Sequence, residues 1–274
     1  MRCAVLLKST LIALLAATPL TVSAAAAKCD RLIATGGADN PPFLWRDPEN
    51  PKRLIGANAD LLKKITDSLD LKLEMLYTGD AAKALEQVRS GRVDVLADAL
   101  LDPEELAHLD FVHPSIVSLQ LSAWVRNDPG FLYSNRNELM GKSGSTVATT
   151  RFDQAFDRYA KENLRLRPAP TLDDALKKLL AGQSDYVLHE RYSTVARAGQ
   201  VGLLDDMQRL EPPVSGRGLH LAVAHDSACN GPWLRGQLAI KMTELRAAGI
   251  PEQLLVENIE RWKQQPTSAS TPQR

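Results

Sequence analysis

The chain has 274 residues, 44% of them hydrophobic and 24% charged, with 33 basic against 33 acidic side chains. That composition suits a globular protein with a real core and excludes a chain too polar to fold. The even charge carries no nucleic-acid footprint, no nucleic-acid partner is expected, and any basic patch would have to be local.

Arg2 and Lys8 precede the apolar run LIALLAATPL, which is too short to span a bilayer, and VSAAAAK follows. This order predicts a secretory signal peptide over residues 1–27, cleaved between Ala24 and Ala27. No later stretch is long and apolar enough to cross a membrane. Lys28 stands where a lipidation signal carries an aliphatic residue, which argues against an anchor on Cys29. The expected product is a soluble, monomeric periplasmic protein with a net charge of about −2. Cys3 leaves with the signal, and Cys29 with Cys229 form an even pair suited to a disulfide in an oxidising compartment.

In the mature chain RLIAT is a short apolar strand. NADLLKKITDSL places Leu61, Leu62, Ile65 and Leu69 on one helical face. LKLEML alternates as a strand, DAAKALEQVRSG is a helix ended by Gly91, and RVDVLAD returns as a strand. A β-α-β-α-β order predicts a mostly parallel sheet covered by helices. Next, Asp102 as N-cap, Pro103 at the first position and Glu105 at N3 form a capping box, so a helix is expected there. That helix accounts for Asp102, Glu104 and Glu105 but not for Asp98, which ends a core strand on the edge where α/β sheets hold ligands.

LSAWVRND reads as a strand. In TTRFDQAFDRYAKE, Thr150 is the candidate N-cap with Asp153 three residues on. The free N–H groups there, with Thr149, Thr150 and Arg151, would make either an anion seat or a merely solvated cap. ALKKLLAGQSDYVL then repeats ALEQVRSGRVDVL: Ala84/Ala175, Leu85/Leu176, Gly91/Gly182 and Asp94/Asp185 all differ by 91 positions. One reading is the ordinary frequency of helix–Gly–strand units. The sharper one is two similar α/β lobes facing each other across a cleft, too widely spaced for a solenoid. Glu190 follows the second strand and should emerge at its carboxyl end. SGRGLHLAVAH is a strand, PWLRGQLAIKMTELRAAG and PEQLLVENIERWK are helices with Pro near the first turn, and residues 265–274 are a polar, disordered tail.

Enzyme motifs are scarce. GKSGST fails as a phosphate loop because Arg136 stands where its first Gly belongs. There is no G-x-S-x-G elbow and no H-E-x-x-H, and the pairs His108/His113 and His220/His225 would diverge on a helix. Neither a catalytic residue, a metal site nor a cofactor is expected.

NPPFLW, LIGANADLLKKI, GRVDVL, DPEELAHLDFVHP, MGKSGSTVATTRF, GQSDYVLHER and the closing GLHLAVAH…ELRAAGIPEQLL…IERW occur in the order and spacing of a known family. The chain resembles the periplasmic solute-binding proteins of family 3, the type II bilobal receptors that usually serve amino-acid ABC importers. The likeness covers nearly all of residues 30–263. It implies two α/β lobes with central mostly parallel sheets, joined by two hinge strands near Trp124–Arg126 and Ser215–Gly218. Lobe one would be 28–123 with 217–264, and lobe two 124–216.

The resemblance implies a cleft site of Phe43, Trp45, Asp98, Leu100, Glu105, Thr149, Thr150, Arg151 and Glu190. Family members usually carry an Arg at the position of Glu105, which clamps the ligand's carboxylate. Here Glu105 reverses that charge, Leu100 replaces a Ser or Thr, Gly37 an acid and Asp98 a small residue. Thr149–Arg151 persist, as does the acid at Glu190, where relatives hold an amine. A ligand carboxylate facing an unmatched carboxylate in a closed cleft would cost several kcal/mol. The expected ligand therefore has a cationic group near Asp98, Glu105 and Glu190, with Phe43 and Trp45 stacked on it. The alternative is that Glu105 only caps its helix. The expected partner is a membrane permease or, alternatively, a membrane sensor. An enzyme on this fold is a third, less supported reading.

Overall fold

The computed structural model describes residues 29–148, 150 and 153–265. The predicted signal peptide, Thr149, Arg151 and all but the first residue of the predicted tail lie outside the described residues. The first half contains β1 (Arg31–Thr35), β2 (Asp39–Asn40), β3 (Leu44–Arg46), β4 (Leu54–Ile55), α1 (Ala57–Asp67), β5 (Lys72–Met75), α2 (Ala81–Arg89), β6 (Val95–Leu100) and β7 (Leu109–Phe111). The long strand β8 (Val117–Arg126) leads to β9 (Ser143–Val147), α3 (Gln154–Asn163), β10 (Arg165–Ala169), α4 (Leu172–Leu180), β11 (Tyr186–Glu190), α5 (Arg191–Gln200) and β12 (Met207–Arg209). A second long strand, β13 (Ser215–Ala224), returns the chain to α6 (Pro232–Ala247) and α7 (Ile250–Lys263).

The strand order is β10-β9-β11-β8-β13-β6-β1-β5, a sheet that curls through both halves. In the first half β1 lies between β5 and β6, parallel to both. In the second β9 lies between β10 and β11 in the same way. The 91-residue repeat is therefore a repeat of topology. Each copy ends its helix with a left-handed glycine, Gly91 at φ 68° and Gly182 at φ 72°, a conformation that a Cβ would strain. The cap residues differ, Asp80 on α2 and Thr171 on α4, but each accepts from the N–H three residues on, an arrangement worth about 1 kcal/mol.

Each lobe has its own apolar interior. Leu32, Ala34, Phe43, Leu61, Leu62, Ile65, Val95 and Leu255 pack together in lobe one. Leu121, Leu139, Phe156, Tyr186 and Leu188 do so in lobe two, with a further layer of Trp124, Leu176, Leu179 and Val187 under α4. Of the stripe read from the sequence, Leu61, Leu62 and Ile65 are buried on α1, whereas Leu69 lies past the end of the helix and is only partly buried. Cys29 and Cys229 form the expected disulfide, which ties the start of β1 to the turn before α6 across 200 residues.

Among the described residues, only β8 and β13 run through both lobes. They pair with each other over Val117–Leu121 and Ser215–Leu219. Beyond that stretch β13 joins β6 of lobe one, and β8 joins β11 and β12 of lobe two. Trp124–Arg126, expected at a hinge, lies in register with Val187 and Met207–Arg209 in the lobe-two part of the sheet. The crossover on β8 falls several residues earlier, where its ladder changes partners.

Candidate functional site

Asp98 is the fourth residue of β6, at the carboxyl edge of the sheet, and it is half-buried. Its Oδ2 accepts the Gly37 N–H at 2.9 Å. A Cβ at Gly36 would sit 2.6 Å from Asp98 Oδ1, so the glycine is what lets the loop after β1 close over the carboxylate. Burial pushes the Asp98 carboxyl up to about 6, against the lowering effect of the Gly37 N–H. The hydroxyls of Thr35 and Thr78 meet at 2.8 Å at the end of β1.

Glu190 ends β11 and becomes the N-cap of α5, its Oε2 accepting the Ser193 N–H at 2.8 Å. Its Oε1 is buried with no hydrogen-bond partner among the described residues. Burial pushes this carboxyl up to about 7, although the N–H groups of Ser193 and Tyr192 draw it down. His189, just before it, is pushed down to about 4 by burial and stays neutral, its Nδ1 2.9 Å from Thr194 Oγ1.

One loop joins these two carboxylates. It begins at Gly37 on Asp98 and ends at Phe43, whose backbone is fixed from behind by α1. Ala57 N–H donates to Pro42 O at 2.9 Å and Asn58 N–H to Phe43 O at 3.1 Å. At Gly56, with φ 132°, a Cβ would meet Phe43 O at 2.4 Å, so this close approach requires glycine. In the middle of the loop, the Ser193 hydroxyl donates to Asn40 Oδ1 at 2.9 Å, across 153 residues of sequence. The Phe43 ring meets Tyr192 edge-on, centroids 6.1 Å apart. The loop thus bonds Asp98 at its start and, in its middle, Ser193, whose N–H caps onto Glu190.

The other expected residues fall elsewhere. Phe43 is fully buried in lobe one and Trp45 is 2% exposed. Trp45 packs edge-on against Trp262, with the Arg261 guanidinium 5.7 Å from its ring. Both rings, expected to stack on a solute, are thus buried against protein neighbours. Glu105 is ion-paired with Arg89 at the end of α2. Its carboxylate is therefore not the unmatched charge that the sequence suggested. The helix and capping box expected at Asp102 shrink to a 3-10 turn, Glu105–Ala107, in which Asp102 Oδ1 accepts instead from Glu104 N–H at 3.1 Å. A single turn leaves Glu105 free to swing toward Arg89.

Leu100, half-buried, pairs with Leu219 and packs on the lobe-one core. Thr150 closes a turn onto Val147. It is not the cap of α3: that is Asp153, which accepts the Phe156 N–H at 2.9 Å and bonds the Ser215 hydroxyl. Burial raises the Asp153 carboxyl, but the Ser215 hydroxyl and nearby N–H groups outweigh it and hold it below the usual range. Nearby, Arg217 of β13 donates to Leu101 O at 3.1 Å. Asn40, Tyr192 and Ser193 were missed because a contact 153 residues apart leaves no local signal. Two hollows on the described surface, of about 430 and 90 Å³, lie around Lys178 and Gln183 on the flank of α4 and include neither Asp98 nor Glu190. Among the described residues no cluster of His, Cys, Asp or Glu could hold a metal ion.

Paired α/β lobes of one topology, sharing two long strands, define the bilobal periplasmic-binding-protein fold. The sequence model of the bacterial extracellular solute-binding proteins, family 3, matches residues 32–167. Residues 32–167 thus carry that family's sequence pattern, on a fold of its type. No curated protein matches it in sequence. The ligand-binding core of GluR0 in complex with L-glutamate is 20% identical, with a TM-score of 0.63 over 86% of this chain and 98% of that one. The amino acid ABC transporter substrate-binding protein AbpA from Streptococcus pneumoniae, bound to L-arginine, is 17% identical, with a TM-score of 0.63 over 86% and 97%. A histidine kinase sensor domain with similarity to periplasmic binding proteins is 20% identical, with a TM-score of 0.62 over 83% and 95%. At these identities the structures establish the fold.

Proposed function

We propose that this chain is a periplasmic receptor that captures a small amine-bearing solute between its lobes by hinge closure and delivers it to an ABC importer. The observation that carries this reading is the pair Asp98 and Glu190, one from each lobe, joined by the Gly37–Phe43 loop. Both carboxyls are raised by burial, and a cation between them would let both ionise. No carboxylate-clamping Arg stands at position 105, which disfavours an α-amino acid in the usual orientation. The solute class is therefore an amine, a polyamine, a guanidino compound or a basic amino acid held differently, with Leu100 and the Thr149–Arg151 turn as further candidate contacts. The lobe division at 28–123 with 217–264, and 124–216, belongs to this reading, as do export through residues 1–27 and a monomeric state. The family and its neighbours bind rather than turn over their ligands, and no catalytic role is assigned.

A thermal-shift screen across amines, amino acids and small organic acids tests the reading, because a solute specific to the native state raises the melting temperature. Stabilisation by a cation that is lost in Asp98→Asn and Glu190→Gln supports it. Stabilisation only by anions overturns it.

A second reading has its own support: a sensor subunit presenting its closed form to a membrane signalling protein. A histidine kinase sensor domain shares the fold, and the usual carboxylate clamp is replaced. Genes for a permease and an ATPase beside this one would favour import, and a kinase gene would favour sensing.

A further inference from the structure

Helix α5 belongs to lobe two through β11, yet lobe one holds it at both ends. At its start, Ser193 bonds Asn40 at 2.9 Å, and Tyr192 meets Phe43 and packs on the lobe-one core. At its far end, about 10 Å along the helix axis from Ser193, α5 meets the last turn of α7. Gln200 Nε2 donates to Trp262 O at 3.4 Å and Gln265 O at 3.2 Å. A Cβ at Gly199 would lie 2.5 Å from the Lys263 side chain, so the two helices touch closely there.

Helix α7 in turn is fixed to lobe one. Leu254 and Leu255 are buried in its core, Asn258 Nδ2 donates to Asp60 Oδ2 at 2.8 Å on α1, and Trp262 packs on Trp45. The lobes are therefore joined by more than the two strands β8 and β13. Each of these contacts is made between two groups of the chain itself.

We propose that α5 is a latch bar, held at its start by the Asn40–Phe43 loop and pivoting at its end on α7, so that the lobes rest closed before solute arrives. Opening breaks the front contacts, which are one hydroxyl–amide bond and one ring edge. The rear seam is wider and stays made, so the C-terminal end of α7 serves as a third, non-covalent hinge leg. A receptor built this way admits solute through transient release of the front end, and its resting shape already resembles the loaded one. The inference concerns the solute-free chain and does not depend on which solute the cleft takes.

Small-angle scattering on the dialysed full chain tests it, with native mass spectrometry selecting preparations of bare mass. The expected radius of gyration for wild type is that of the structure with both ends of α5 engaged. Asn40→Ala combined with Tyr192→Ala should raise it, while Gln200→Ala should leave it closed. Far-UV circular dichroism checks folding. If the double variant fails to fold, the milder Asn40→Ala with Ser193→Ala should expose the first amides of α5 to faster hydrogen exchange. A wild type already open, variants that stay closed with unchanged exchange, or opening by Gln200→Ala as large as by the front variants would each overturn the latch.

Discussion

Asp94 and Asp185, 91 residues apart, make the same hydrogen bond in the two lobes. Asp94 Oδ2 accepts the Ile33 N–H at 2.8 Å, and Asp185 Oδ2 accepts the Ser143 N–H at 2.8 Å. In return each aspartate donates its own N–H to that residue's carbonyl, at 3.0 Å to Ile33 and 2.7 Å to Ser143. The carboxylate fastens the turn after the repeated helix to the first strand of its lobe, so the repeat preserves a hydrogen-bond requirement as well as an apolar pattern. Alanine at either position leaves a part-buried N–H without its acceptor, a loss of about 1–3 kcal/mol. Asp94 also accepts the Ser227 hydroxyl at 2.5 Å. Asp94→Ala should therefore lower the guanidinium midpoint more than Asp185→Ala. Equal losses would show that the Ser227 bond adds nothing.

The Cys29–Cys229 bridge closes a loop that contains nearly the whole of both lobes. A cross-link of that span restricts the unfolded chain strongly. Cys29→Ser with Cys229→Ser should cost roughly 2–5 kcal/mol in denaturant unfolding. Reductant should reproduce the loss in the wild type and add nothing to the double variant.

Much of this architecture was legible in the sequence because its signals are local. The stripe of Leu61, Leu62 and Ile65, the glycines ending α2 and α4, and the prolines opening α6 and α7 all act within a few residues. The Asp102 turn was misread because a capping box describes a helix start but does not supply an apolar stripe to sustain one, and Leu106 is 51% exposed. Trp45 was misread because aromatic residues after a first strand suit either a cleft or a core. Its partners Arg261 and Trp262 lie at the far end of the chain. The places of Asp98 and Glu190, late in β6 and at the end of β11, could be read from position alone. What sequence could not supply was the loop connecting them, because Asn40 and Ser193 meet only once the lobes are assembled.

Glu105 offers a test of how far the site extends. Its carboxylate engages Arg89, on the end of α2, and its side chain is 12% exposed. Glu105→Gln should leave solute affinity unchanged by calorimetry and cost about 1 kcal/mol or less of stability, as is usual for a pair with one exposed partner. A fall in affinity for a cationic solute would instead place this carboxylate in the cleft.

The two raised carboxyls make a prediction with a definite sign. Asp98 moves from an ordinary 3.8 to about 6 and Glu190 from 4.5 to about 7. Between the unfolded and folded values the native chain binds more protons than the unfolded one. Their contribution is thus fully present below about pH 4 and is lost as pH rises through 6 and 7. After screening, each carboxyl is worth roughly 1–3 kcal/mol. His189, depressed to about 4, and His220, also lowered by burial, slope the opposite way and destabilise the native state as pH falls below their unfolded value. The informative quantity is therefore the difference between wild-type and variant profiles. Relative to wild type, Asp98→Asn and Glu190→Gln should gain stability steadily as pH rises from about 4 to about 7.5 in urea titrations. Binding runs the other way: a cationic solute requires the ionised carboxyls, so its affinity should tighten over the same range and its binding should release protons, measurable as buffer-dependent heats. Affinity that weakens with rising pH would mean that the solute takes the neutral acids, and that the charge between the lobes is not what it recognises.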